Sequence, residues 1–115
     1  MKPKTIKIIV AFSIFMLSGA SALLAGDAEK GKKLALSKSD GNCLACHKIA
    51  GADQPGNIGP ELVDMKSRYP NKADIRARIW DATRFNPISA MPPFGRNRIM
   101  TEQEIDDLAE FISTL

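Results

Sequence analysis

The chain has 115 residues, enough for one small domain, and carries 16 lysines and arginines against 13 aspartates and glutamates. Three of those lysines, Lys2, Lys4 and Lys7, stand at the very start, so the rest of the chain is balanced at 13 against 13. Since no basic tract with interleaved aromatic residues occurs either, we expect no nucleic-acid partner.

The first 25 residues have the composition of a secretory signal peptide. The three lysines precede residues 8–24, which are almost continuously apolar, and small residues allow cleavage after Ala22 or after Ala25. The mature protein would then be one domain, residues 26–115, in the periplasm and without a membrane span. Because the apolar stretch approaches the ~20 residues that cross a bilayer, an uncleaved membrane anchor is the alternative.

Four stretches of the remaining chain combine helical spacing of apolar residues with a residue that favours a helix start: they begin at Asp27, Pro60, Asn71 and Thr101. We expect the first helix to reach about Lys38 and the third to continue until Asn86 and Pro87 interrupt it. No segment alternates as a strand would. The expected class is all-α, with about four or five short helices.

Cys43, Cys46 and His47 form the CxxCH pattern that attaches c-type haem. Two thiols about one helical turn apart can add to the two vinyl groups of a haem, and the adjacent histidine is then directed at the iron. A redox CxxC pair is the main alternative, but such pairs usually lie in a βαβ setting, for which this sequence has no strands. A zinc site would need a fourth ligand, and the chain has no second histidine or cysteine pair to supply it.

One covalent haem also suits the size of the mature domain. A domain of about 90 residues has a modest hydrophobic core, and a large apolar disc gives short helices something to pack against. We therefore expect one haem c, bound through two thioethers at Cys43 and Cys46, with His47 as the proximal iron ligand.

The sixth iron ligand has to be a methionine, a lysine or water, because His47 is the only histidine of the chain. Met65 falls on an apolar helix face and Met100 directly precedes a helix cap, so packing is the expected role of both. Met91 lies in a loop stiffened by two prolines, and we expect it to bind the distal face of the iron. The alternative is that Met91 only packs on the haem edge.

Histidine and methionine ligation raises the reduction potential of a haem, and single-electron transfer is the expected chemistry. The sequence contains no arrangement of a nucleophile with a base and no paired carboxylates that would indicate catalysis by the chain itself. No catalytic residue is expected.

The order of the motifs resembles class I cytochromes c over essentially the whole mature domain. "GDAEKGKKL", "CLACH", "IGPEL", the methionine loop and the closing amphipathic helix carry this resemblance. It implies that Gly31 lets the first helix cross closely over the last one near Phe111. It also implies that the carbonyl group of Pro60 accepts a hydrogen bond from the His47 ring, which orients the ligand.

A narrower resemblance is to SoxX-type proteins, the monohaem subunits of SoxAX complexes in sulfur-oxidising bacteria. "GNCLACH", "RARIWDATRFNPISAMPPF" and "MTEQEIDDLAEFISTL" carry it, although only "GRNRIM" separates "MPPF" from the last helix, which is shorter than in many relatives. The resemblance implies a periplasmic heterodimer with a SoxA-type subunit.

In such a complex, an S-thiosulfotransferase, thiosulfate is oxidatively joined to a cysteine of a SoxYZ carrier. This chain would accept the electrons and pass them to a downstream cytochrome or oxidase, and it would not be catalytic alone. A freestanding electron carrier to a terminal oxidase is one alternative. A gas-binding haem protein with an open distal site is another.

Overall fold

The structure is a computed structural model that describes residues 25–115, so the predicted signal peptide lies outside the described residues apart from Ala25. The described chain forms four helices: α1 (Ala28–Leu36), α2 (Met65–Arg68), α3 (Lys72–Trp80) and α4 (Glu102–Ile112). Two short 3₁₀ helices span Cys43–Ala45 and Ala82–Arg84. Residues 25–115 contain no strand, and the all-α prediction is confirmed. None of the helices in this range combines the length and apolarity needed to cross a bilayer.

The core lies where α1 and α3 pack against α4. Its buried side chains are mainly aliphatic and include Ala35, Ile75, Ile79, Ile105, Leu108 and Ile112. The stripe of apolar residues predicted in the last helix faces this core, while its charged side chains stay at least partly accessible except for Asp107. One buried face per helix is what the amphipathic pattern dictates.

The crossing of α1 over α4 depends on Gly31. A Cβ atom at this position would lie 2.0 Å from the backbone oxygen of Asp107 and 2.9 Å from Cβ of Phe111, so only glycine allows the two backbones to come this close. The expectation of a close crossing near Phe111 is confirmed. The buried Asp107 carboxylate fixes the same contact, because it accepts hydrogen bonds from the backbone N–H of Asp27 at 2.8 Å and from Gln103 at 2.9 Å.

The start signals of three helices are confirmed by their caps. The Asp27 side chain accepts hydrogen bonds from two backbone N–H groups of the first turn of α1, and Asn71 accepts one from Ala73 in α3. Thr101 and Glu104 form a reciprocal capping box at the start of α4. These local hydrogen bonds fix the helix starts that the sequence predicts.

The predicted helix at Pro60 is wrong. Helix α2 begins five residues later, at Met65, because the Pro60 carbonyl oxygen, which a helical turn would need as an acceptor, is bound by Nδ1 of His47, and Asp64 is left-handed at φ 50°. Gly59 donates to the carbonyl oxygen of Cys46 at 2.8 Å, and Leu62 donates to that of Lys48 at 2.9 Å. The segment is therefore held against the cysteine motif instead of coiling on itself.

Helices α1 and α3 both end earlier than the sequence predicts. Helix α1 stops at Leu36 instead of Lys38, and the chain then turns back so that Gly41 donates to the carbonyl oxygen of Leu34 at 3.0 Å. Helix α3 stops at Trp80, well before Asn86, because Asp81 is extended and its side chain caps the following 3₁₀ helix. In both places a local turn takes over the hydrogen bonds that would extend the helix.

Replacing Gly31 by alanine tests the helix crossing. In an isolated helix this change would stabilise by about 1 kcal/mol, but here the added Cβ meets the backbone of α4. We expect Gly31→Ala to lower the free energy of unfolding by about 1–3 kcal/mol in denaturant titrations of the haem-loaded protein. The exposed neighbour variant Lys32→Ala should stay within about 0.5 kcal/mol of the wild type. A stabilised Gly31→Ala variant would contradict the close crossing.

Candidate haem attachment site

The two cysteines and the histidine are brought together by one tight turn. Asn42 adopts a left-handed conformation at φ 48°, and the 3₁₀ helix Cys43–Ala45 follows directly. The backbone N–H groups of Cys46 and His47 both donate to the carbonyl oxygen of Cys43, at 3.2 and 2.8 Å. Both thiols are free and half-buried. The motif therefore places two thiols and an imidazole on one short turn of the backbone.

A hydrogen bond to Pro60 holds the His47 ring. Its Nδ1 lies 2.6 Å from the carbonyl oxygen of Pro60, and a carbonyl oxygen can only accept, so Nδ1 carries the hydrogen and donates it. In the neutral form of the ring, this tautomer leaves a lone pair on Nε2, the nitrogen that can bind a metal. A hydrogen bond from the other ring nitrogen is the usual support of a metal-ligating histidine.

The backbone of Gly59 supports the other side of the same ring. A Cβ atom at Gly59 would lie 2.5 Å from Cε1 and 2.7 Å from Nδ1 of His47, so the imidazole rests directly on this backbone position. Gly59 is not among the predicted site residues, because the sequence places it only in the "IGPEL" motif and gives it no contact with the histidine. The signal was present in the loop composition, since glycine before proline marks an irregular backbone that can approach a ring closely.

The surroundings of Cys43 do not suit a redox-active thiol. Burial is the main cause that raises the pKa of this thiol from 9.0 to about 11; a backbone hydrogen bond lowers it by less, and the neighbouring Cys46 adds a small further increase within that value. Thiol-disulfide enzymes need the opposite shift, because the thiolate is the reactive form. The pKa of Cys43 therefore counts against the redox-pair alternative.

The three methionines of the described chain differ in burial. Met65 and Met100 are buried core residues, which agrees with the packing roles expected for them. Met91 is only partly buried, at the edge of the core, and its backbone N–H donates to the Ser89 hydroxyl at 3.3 Å. Its thioether sulfur is thus the least committed of the three to core packing.

Large apolar side chains are exposed beside Gly59, which contacts the His47 ring, and in the segment that contains Met91. Ile58, next to Gly59, is 75% exposed, while Phe85 and Ile88, in the segment that contains Met91, are 50% and 90% exposed. Burial of such groups is favourable, and an apolar cofactor is one group that would cover them. Two thiols, an imidazole with a free Nε2, a thioether and exposed apolar side chains fit an iron porphyrin.

Comparison with known proteins identifies the class. The Cytochrome c family model matches residues 28–115, and the chain belongs to the cytochrome c family. Cytochrome c6 of Gloeothece citriformis (strain PCC 7424) is 30% identical over 112 residues, which cover 97% of this chain and 93% of that protein. An uncharacterized lipoprotein of Aquifex aeolicus (strain VF5) is 31% identical over 104 residues, covering 76% of this chain but only 49% of that protein.

Among solved structures, the chain is similar to the crystal structure of SoxXA from P. pantotrophus. The TM-score is 0.71 at 26% sequence identity, and the match covers 78% of this chain and 82% of that chain. The resemblance to class I cytochromes, and within them to SoxX-type proteins, is confirmed. Cytochromes c carry covalently attached haem c, and Cys43, Cys46 and His47 fit its attachment motif. The chain is a cytochrome c electron carrier.

Replacing Gly59 by alanine tests the support of the His47 ring. The added Cβ would overlap the imidazole, so we expect the free energy of unfolding of the haem-loaded protein to fall by about 1–3 kcal/mol. The Soret absorption should change as well, since the ring is displaced, although the cysteines that attach the haem are untouched. Asn57→Ala, an exposed change in the same loop, is the matched control. An unchanged spectrum and stability in Gly59→Ala would show that the ring does not rest on Gly59.

Proposed function

We propose that this chain is a periplasmic monohaem cytochrome in which His47 is the proximal and Met91 the distal ligand of the haem iron. Cys43 and Cys46 would hold the haem through thioethers, and the iron supplies a one-electron redox couple. The observation that carries the proximal assignment is the 2.6 Å hydrogen bond from Nδ1 of His47 to Pro60, since it leaves Nε2 free to bind.

The chain's own residues determine how that couple behaves. The Pro60 carbonyl increases the electron density on the His47 ring and fixes its orientation. A neutral thioether from Met91 favours the ferrous state, so the potential is higher than with two imidazoles. Two protein ligands also leave no position for oxygen. Each of these effects favours simple electron transfer over catalysis.

We assign the chain, within this class, to the SoxX-type subunits of SoxAX complexes. The similarity to the SoxXA structure and the segment "RIWDATRFNPISAMPPF" support this assignment. The partner would be a SoxA-type cytochrome subunit, and the substrate carrier a SoxYZ-type protein with a reactive cysteine. Joining thiosulfate to that cysteine forms a sulfur–sulfur bond and releases one proton and two electrons. A single haem takes one electron at a time, so this chain would pass them on in two successive transfers.

A periplasmic location is supported by the signal-peptide pattern of residues 1–25 and by the family, whose members typically work outside the cytoplasm. The downstream acceptor would be another cytochrome or an oxidase.

A second candidate function is that of a freestanding carrier that feeds a terminal oxidase. The observation that favours it is the cytochrome c6 relative, because that alignment covers nearly the full length of both proteins. The two functions share the haem site and differ in whether the chain has a permanent partner.

Replacing the methionines one at a time tests the distal ligand. Met91→Ala should keep the haem attached, abolish the sulfur-to-iron charge-transfer band and lower the reduction potential by at least about 60 mV, which is tenfold in a one-electron equilibrium. Met65→Leu and Met100→Leu are matched controls, since both residues are buried in the core and should keep the band. If the band survived in Met91→Ala and disappeared in a control, the distal assignment would be wrong.

Purification of the chain from its native cells tests the partner. A SoxX-type subunit should elute together with a second haem polypeptide at constant ratio through ion exchange and size exclusion. A monomer that exchanges electrons rapidly with a terminal oxidase would support the freestanding carrier and count against the SoxAX assignment.

A further inference from the structure

The segment that carries Met91 is closed at its base by the backbone of Trp80. The carbonyl oxygen of Trp80 accepts hydrogen bonds from the N–H groups of both Gly95 and Arg96, at 3.1 and 3.2 Å. The Trp80 indole also lies against Gly95, where a Cβ atom would approach Cε3 to 2.1 Å. The chain therefore leaves α3 and returns at the same place, and residues 82–95 form a closed loop, called here the Met91 loop.

A side-chain cluster locks this base. The Asp81 carboxylate is only 3% exposed and accepts a hydrogen bond from Nη1 of Arg96 at 2.8 Å. Its other oxygen accepts from the hydroxyl and the backbone N–H of Thr83, at 2.5 and 3.1 Å, and Arg96 donates to the Thr83 hydroxyl at 3.3 Å. We call Asp81, Thr83 and Arg96 the clasp. It joins the beginning of the Met91 loop to its end.

The Asp81 carboxylate and the Arg96 guanidinium of the clasp form an ion pair that is charged at neutral pH. The hydrogen bonds from Thr83, together with the positive charge of Arg96, outweigh burial and keep the pKa of Asp81 below its usual range. The carboxylate is therefore ionised at neutral pH. A buried charge whose partner is removed is strongly destabilising, so the ion pair favours the closed arrangement of the two ends.

Iron binding by Met91 depends on closure of the Met91 loop more than iron binding by His47 does. The thioether is a neutral, weak ligand, and it reaches the iron from a loop, so its occupancy follows its effective concentration at the iron. Fixing both ends of the loop raises that concentration without any contact to the iron itself. His47, by contrast, directly follows Cys46 of the attachment motif.

We propose that the clasp of Asp81, Thr83 and Arg96 positions Met91 as the distal iron ligand by holding the Met91 loop closed. This inference rests on the proposed ligation by Met91. Opening the clasp would release the thioether for part of the time, lower the reduction potential and let an external ligand reach the ferrous iron. The attachment through Cys43 and Cys46 would be unaffected.

The test compares variants of the haem-loaded protein by two readouts: carbon monoxide binding to the ferrous form and the strength of the sulfur-to-iron charge-transfer band. Arg96→Gln removes the positive charge of a half-exposed side chain, and Asp81→Asn removes the negative charge of a buried side chain. Both should bind carbon monoxide about tenfold more tightly than the wild type, or more, and weaken the band, because the loop is no longer held closed. Arg96→Lys keeps the charge and should restore most of the wild-type behaviour.

Two controls separate positioning from general destabilisation. Arg98→Gln removes an exposed positive charge from the turn after the loop without touching the clasp, and should behave as the wild type. Ile105→Val removes a methylene group from the core of α4 and lowers stability away from the loop, so it should leave carbon monoxide binding unchanged. Increased binding in Ile105→Val of the same size as in Arg96→Gln would overturn the positioning role.

The outcomes for the clasp and for the ligation are distinguishable. If the wild type shows the band and Met91→Ala abolishes it, but Arg96→Gln and Asp81→Asn remain inert to carbon monoxide, the clasp proposal alone is wrong. If the wild type lacks the band, or Met91→Ala retains it, the ligation by Met91 is wrong and the clasp proposal is overturned with it.

Discussion

The hydrogen bond from Nδ1 of His47 to the carbonyl oxygen of Pro60 links the fold of this chain to its chemistry. It sets the tautomer of the only histidine and so decides which nitrogen is free for iron. It also requires the backbone around Pro60 to lie against the cysteine motif, where Gly59 and Leu62 donate hydrogen bonds to Cys46 and Lys48. The segment around Pro60, which the sequence assigns to a helix, is irregular because its backbone bonds to the cysteine motif and to the His47 ring.

Close contacts between the helices stabilise this small domain. The crossing of α1 over α4 brings two backbones together at Gly31, and the buried Asp107 carboxylate ties the start of α1 to the middle of α4. Side chains on α3 add ion pairs to α4, from Lys72 to Glu110 and from Arg76 to Glu102 and Asp106. These pairs are partly exposed and contribute little individually. The packed helices thus support residues 43–62 and the Met91 loop, both of which are largely irregular.

Local signals in the sequence were sufficient where the structure is determined locally. Asp27, Asn71 and Thr101 cap the helices they were expected to cap, because a cap needs only the next three residues. The CxxCH motif indicates haem attachment for the same reason, since its chemistry lies within five consecutive residues. The resemblance to class I cytochromes added the close helix crossing at Gly31, which no local pattern would reveal.

The wrong helix bounds share one physical cause, which is competition from other partners, some local and some distant, for backbone and side-chain hydrogen bonds. Pro60 has the right residue type for a helix start, but its carbonyl oxygen accepts a hydrogen bond from His47 instead of one from a helical turn. Asp81 lies within a helical pattern, yet its carboxylate ends α3 by turning to Thr83 and to Arg96. Neither partner can be identified from spacing alone, because Arg96 comes after three prolines and an irregular loop.

This contrast places the two faces of the haem site under different control. The proximal side is built from residues that are neighbours in the chain, so attachment of the haem itself brings His47 close to the iron. With the proposed ligation by Met91, the distal side would depend on a thioether much further along the chain, whose position would follow from how the Met91 loop is closed. Electron transfer needs the same ligands in both oxidation states, so the fold has to stabilise the weaker ligand. In the described structure, the hydrogen bonds to the Trp80 carbonyl oxygen and to the Asp81 carboxylate close the loop that carries this proposed ligand.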